Sequence, residues 1–145
     1  MTLKLWIPFA ALALALSPLA IVHPVSVTGH SMEPGLPDGD LRWSLRSWAS
    51  HAPRRGEIWV VAGPQHATVK RVLGLPGDSV TWRGPDLWVN GQRIEEPWVV
   101  YPERTGAGRQ VCGNGYLVLG DNRTASQDGR SWGPVSRRAL QGRIL

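Results

Sequence analysis

The chain has 145 residues, room for one domain or one domain with a short appendage, and its 42% hydrophobic and 19% charged residues exclude an intrinsically disordered chain. Seventeen glycines and twelve prolines would break the helices of a bundle too often, and the single cysteine, Cys112, excludes an intramolecular disulfide and a cysteine-rich zinc site. The net charge of +5 fits attraction to an anionic membrane surface or plain solubility, while the scattered arginines weigh against nucleic acid as a partner.

The first predicted element is Leu5–Val22, a run without a charged residue. A helix of that length reaches roughly 27 Å at ~1.5 Å per residue, enough to cross a bilayer core. Lys4 and the free amine precede it, which orients the N-terminus to the cytoplasm and the rest of the chain outside. Two other readings stand beside a retained anchor. A cleaved signal peptide needs small residues before its scissile bond, but Ala13 and Ala15 lie inside the apolar run and Ser17 is followed by Pro18. A buried core helix would be disrupted by Pro8 and Pro18. The preferred division is an anchor over 1–24 and an extracytoplasmic β-domain over 25–145.

From Val25 onward the pattern is short strands between turn residues. Val25–Val27 alternates, and Glu57–Val61 and Ala67–Leu73 are apolar runs. Asp86–Val89 and Gln92–Ile94 flank Asn90-Gly91, a pair that readily takes the positive φ of a two-residue hairpin turn. Tyr116–Leu119 is a further strand. Ser44–His51 reads as a short helical or irregular connection, and Glu95–Asn114 as an exposed excursion. The fold class is mainly β, built of short antiparallel strands and hairpins.

Three segments carry chemistry. In Gly29-His30-Ser31-Met32-Glu33-Pro34, glycine permits close backbone approach and proline fixes the chain beyond Ser31, so the hydroxyl can be presented at a surface; the plainer reading is a turn serine. In Val69-Lys70-Arg71, strand alternation turns one cation inward, where an ammonium needs a partner or neutrality. The plainer reading there is an edge strand with both cations reaching to water. In Gly120-Asp121-Asn122-Arg123-Thr124-Ala125-Ser126-Gln127-Asp128-Gly129-Arg130, the polar density after an apolar strand points to a hydrogen-bonded loop with an Asp128–Arg130 pair, structural or functional.

Taken in order, these segments resemble the conserved boxes of the type I signal peptidases: Ser-Met-X-Pro, Lys-Arg-X-X-Gly-Leu-Pro-Gly-Asp and Gly-Asp-Asn-Arg-X-X-Ser-X-Asp-X-Arg. Arg55-Gly56-Glu57-Ile58 resembles the family's strand between the first two, and the resemblance covers nearly all of the chain. It implies a signal-peptidase-like β-domain behind an N-terminal transmembrane helix, and a serine endopeptidase at the cell membrane. It further implies Ser31 as nucleophile, Lys70 as general base, Ser126 as the hydroxyl that orients the lysine, and Asp128 with Arg130 as a supporting ion pair. The substrate implied is a secretory preprotein with small −1 and −3 residues, bound extended along Val27, Thr28, Gly29 and His30. Membrane lipid is the other partner, and the mechanism calls for no metal or cofactor.

Departures from the family pattern are Gly35 where threonine is usual and Gly129 where serine is usual, both expected to loosen the backbone. Gly29 removes a side-chain hydroxyl from the oxyanion site, leaving Thr28 or a backbone N–H to complete it. Three alternatives remain at this point. They are a LexA-like self-cleaving regulator, a pilin- or conjugation-type processing peptidase of the same clan, and an inactive membrane-tethered β-domain.

Overall fold

Residues 21–145 are described by a computed structural model of the protein. The expected membrane anchor falls almost wholly outside them, and among the described residues no helix is long and apolar enough to cross a membrane. Among the described residues ten strands carry the fold: β1 (Val22–Ser26), β2 (Leu41–Arg46), β3 (Ile58–Ala62), β4 (Ala67–Gly74), β5 (Ser79–Arg83), β6 (Asp86–Val89), β7 (Gln92–Ile94), β8 (Ala107–Val111), β9 (Leu117–Leu119) and β10 (Leu140–Ile144). One helical turn, α1 (Gly129–Trp132), begins within the last residues of the third box.

The strands form two antiparallel sheets, β1-β2-β10-β3-β4-β9 and β7-β6-β5-β8. β4 ends in the first sheet and the Leu75–Asp78 turn carries the chain into β5 of the second. Leu73, Leu117 and Leu119 from the first sheet pack with Val80, Trp82, Leu87 and Val89 from the second, so one apolar core joins the two. A second cluster joins Trp59, Val61, Val72, Val118 and Leu140 of the first sheet's strands with Tyr116, just before β9. A third, of Val27, Met32, Leu36, Val69 and Ile144, sits under the turn that carries Ser31.

The β6–β7 hairpin has the predicted bounds, with Asn90 and Gly91 at φ 52° and 81°. Other expectations shift. The first strand begins at Val22, the last residue of the apolar run, and ends before Val27. Ser44–His51 is not a connection throughout: β2 runs through Arg46, and only Ser47–Ala49 forms a 3-10 turn. The excursion expected over Glu95–Asn114 contains β8, paired with β5. Gly108 is a poor strand former, but a Cβ there would stand 2.3 Å from the Trp82 ring, so its bareness is what lets the tryptophan lie on the strand.

Candidate active site

β4 is an interior strand, flanked by β3 and β9, so the edge-strand reading of its two cations fails. Register places Lys70 opposite Trp59 and Thr68 opposite Val61 on β3. Directly opposed residues share a face, and residues two apart on a strand do too. Thr68 and Lys70 therefore project together, beside a fully buried indole. Arg71 turns to the opposite face and makes a two-pronged pair with Asp121, at 2.8 and 2.6 Å.

The Lys70 ammonium end is 2% exposed as part of its residue and has three partners. Nζ donates to Ser31 Oγ at 2.7 Å, Thr68 Oγ1 at 3.0 Å and the Val69 carbonyl at 3.1 Å. Burial pushes its pKa down to about 8, against the upward pull of Asp128 and then Asp121. A lysine near neutrality that touches a serine hydroxyl can take its proton.

Ser31 stands on a tight turn after Gly29, whose φ of 84° suits glycine. The third box holds this turn by its backbone: the Asn122 N–H donates to the Ser31 carbonyl at 3.0 Å. Gly120 makes that approach possible, because a Cβ there would stand 2.6 Å from the Ser31 carbonyl oxygen and 2.2 Å from Ser126 Oγ. Buried Asp128 gathers the loop. It accepts from the Gly120 N–H at 2.9 Å, Ser126 Oγ at 2.7 Å, and Arg130 Nε at 2.9 Å.

The Ser126 hydroxyl donates to Asp128, and Ser126 is not among the hydrogen-bond partners of Lys70; Thr68 is. Val27 is buried in the third core cluster, its N–H donating to Asp40 and its carbonyl accepting from Gly39, so it serves the core and not an incoming chain. Thr28, Gly29 and His30 do line an open cleft of about 380 Å³ with Ser31, His66, Thr68 and Lys70. His30 is exposed and bonded to Glu33, which raises its pKa.

Gly129 is also not a loosened position. A Cβ there would stand 2.7 Å from Leu117 and 2.9 Å from the Val118 carbonyl, so this glycine seats the loop tightly on β9. Gly35 has open space around it.

Three residues of the site were not anticipated. Thr68 was readable from strand alternation, two residues before the lysine. Glu96 and Glu103, on the segment before β8, pair with Arg123 and Arg130 of the third box. Only the tertiary fold brings those carboxylates there. No group of metal-ligating side chains exists among the described residues.

The family model for "Signal peptidase, peptidase S26" matches residues 1–145. The chain belongs to the type I signal peptidases. It is 30% identical to signal peptidase IB of Staphylococcus aureus (strain Mu50 / ATCC 700699), over 86% of this chain and 76% of that one. It is 31% identical to signal peptidase I V of Bacillus subtilis (strain 168), over 86% of this chain and 84% of the other. The crystal structure of a signal peptidase I from Enterococcus faecalis V583 superposes with a TM-score of 0.56 at 28% identity, covering 66% of this chain and 97% of that one. The protein is accordingly a serine peptidase of the signal peptidase I type, with the family's antiparallel β-architecture.

Proposed function

We propose that this signal peptidase cleaves signal peptides from secretory preproteins with Ser31 as nucleophile and Lys70 as general base. The observation that carries the reading is the 2.7 Å hydrogen bond between Lys70 Nζ and Ser31 Oγ, made by a buried lysine whose pKa is pushed down to about 8. Neutral Lys70 removes the hydroxyl proton as Ser31 attacks the scissile carbonyl. The Ser31 N–H, which carries no hydrogen bond among the described residues, meets the oxyanion. Thr28 lines the cleft and supplies the second donor with its hydroxyl, since the Gly29 N–H is already given to Asp38 at 2.7 Å. Water activated by Lys70 then releases the acyl-enzyme. Asp128 and Arg130 keep the third box folded, with Ser126 as the link between Asp128 and the loop's turn.

The preprotein lies extended beside β1, the edge strand that leads to Ser31, and adds to the sheet through backbone hydrogen bonds. Thr28, Gly29 and His30 flank its small −1 and −3 residues. The N-terminal apolar segment is a single-pass anchor, residues 1–24, with the catalytic domain of 25–145 on the extracytoplasmic side. Exposed Leu41 and Trp43 on β2, with Trp48 just after it, fit a face lying against lipid, where indole rings favour the headgroup level.

Ser31→Ala and Lys70→Ala each abolish cleavage of a preprotein set, scored by N-terminal sequencing of the products, while circular dichroism stays native. Full activity of purified Lys70→Ala rejects the pairing.

A further inference from the structure

A neutral amine has two N–H bonds and one lone pair, three directions in all, whereas the ammonium has three N–H bonds. Lys70 Nζ has three oxygen neighbours: Ser31 Oγ, Thr68 Oγ1 and the Val69 carbonyl. A carbonyl oxygen only accepts, so Val69 takes one N–H. If Thr68 takes the other, the lone pair is left with a single direction, toward the Ser31 hydroxyl. Ser126 Oγ, which donates to Asp128 at 2.7 Å, is not one of these neighbours.

We propose that Thr68 is a positioning residue for the general base: its Oγ1 and the Val69 carbonyl hold the two N–H bonds of neutral Lys70 so that the lone pair faces Ser31 Oγ. This rests on the Ser31/Lys70 reading above. The proton leaves Ser31 Oγ for Nζ as the oxygen forms its bond to the scissile carbon. The ammonium so formed keeps Thr68 and Val69 as acceptors and passes its third proton to the leaving amine. Threonine suits the position because its β-branch is stiff in a strand and its oxygen has few directions to take.

The charged groups around Lys70 are few. Asp121 and Asp128 face it from the third box, paired with Arg71 and Arg130. Glu57 bonds the Trp59 indole on the β3 side, and His30 with Glu33 and then His66 stand on the cleft. None of them replaces an acceptor at Nζ.

The test is Thr68→Val, which keeps shape and strand preference and removes the oxygen, beside Thr68→Ser. The Val variant is expected to lose roughly 10- to 100-fold in kcat with KM unchanged, the scale of a misdirected catalytic group. Its acid limb moves to lower pH, because the ammonium has lost an acceptor that favoured the charged form. Thr68→Ser restores both. Only Lys4 and Lys70 are lysines, so the Nζ resonance of ¹⁵N-lysine protein follows the same titration independently of turnover. Thr68→Ala, with space in place of a methyl group, shows the same loss and covers a folding defect in the Val variant. Wild-type kcat and an unmoved Nζ titration in either variant overturn the Thr68 role while leaving the Ser31/Lys70 pair intact. Active Lys70→Ala instead overturns the pair itself.

Discussion

Of sixteen cationic side chains only two are lysines, and one of those is Lys70. The arginines make the ion pairs and the carbonyl contacts, as a planar guanidinium with several donors does well, yet arginine cannot give up its proton near neutrality. Lysine can, once water is withdrawn from it. Trp59 opposite in register and the cleft's own walls withdraw that water, and Asp128 and Asp121 limit how far the pKa falls. Two opposed effects thus set the lysine pKa, burial the larger. The rate should rise with pH through about 8 as Lys70 deprotonates. Asp121→Asn removes one of the two charges that favour the ammonium and leaves Arg71 uncompensated nearby. Both changes lower the lysine pKa, so the acid limb of kcat/KM moves to lower pH. A pH–rate profile checks this, and a limb that stays in place refutes the assigned influence of Asp121.

The segment between β7 and β8 acts on the site as an element. Trp98 lies under Arg71, whose guanidinium carbon is 4.4 Å from the ring centroid, and the Tyr101 carbonyl accepts from the Arg123 N–H at 3.1 Å. Glu96 and Glu103 then clasp Arg123 and Arg130, two cations of the loop that holds the Ser31 turn. The two clasps differ in depth. Arg123 and Glu96 side chains are 6% and 7% exposed, whereas Glu103 is 35% exposed and Arg130 keeps Asp128 without it. Glu96→Gln leaves a buried guanidinium short of a countercharge, a loss of about 3 kcal/mol. That is a fall in Tm on the order of 10 °C for a chain of this size. Glu103→Gln costs at most ~1 kcal/mol. Thermal unfolding of the two variants orders them, and equal losses would mean the clasp depth is immaterial. This element was illegible in the sequence for a physical reason: glycines, prolines and arginines read as a solvated loop, and the carboxylates find their partners 27 residues away in both pairs. The β6–β7 hairpin was legible because Asn90-Gly91 dictates its own turn, with no help from distant residues. Ser126 lies in between: its position in the box was readable, while its hydrogen bond to Asp128 is decided by the packed loop.

At the scale of the molecule, strand alternation and turn chemistry revealed the β class, while the order β1-β2-β10-β3-β4-β9 depends on long-range pairing that no local pattern encodes. β10 illustrates the gap. It inserts between β2 and β3 from the far end of the chain, and Gly142 is required there because a Cβ would stand 2.3 Å from Ser44 Oγ. That closely packed sheet is what bears the strain of a buried lysine. In the unfolded chain Lys70 has an ordinary pKa of about 10.4; in the folded protein it is about 8. Between these values the unfolded state binds more protons, so stability rises with pH through that window and the cost is fully present below about 8. A difference of this size amounts to about 3 kcal/mol at neutral pH. Lys70→Met keeps the length of the side chain and removes the charge, losing in exchange the hydrogen bonds to Ser31, Thr68 and the Val69 carbonyl, each about 1 kcal/mol. The two effects nearly cancel at pH 7, so the variant is expected to be inactive yet to unfold close to the wild-type temperature there. The pH dependence separates this balance from a mere change of packing. As pH rises from 7 to about 10.4, the wild-type lysine sheds its proton in both states, so wild type should gain on Lys70→Met until the variant lags by its lost hydrogen bonds alone. Thermal unfolding of both proteins across that range measures it, and a gap independent of pH would show that Lys70 is not held out of its ordinary charge state by the fold.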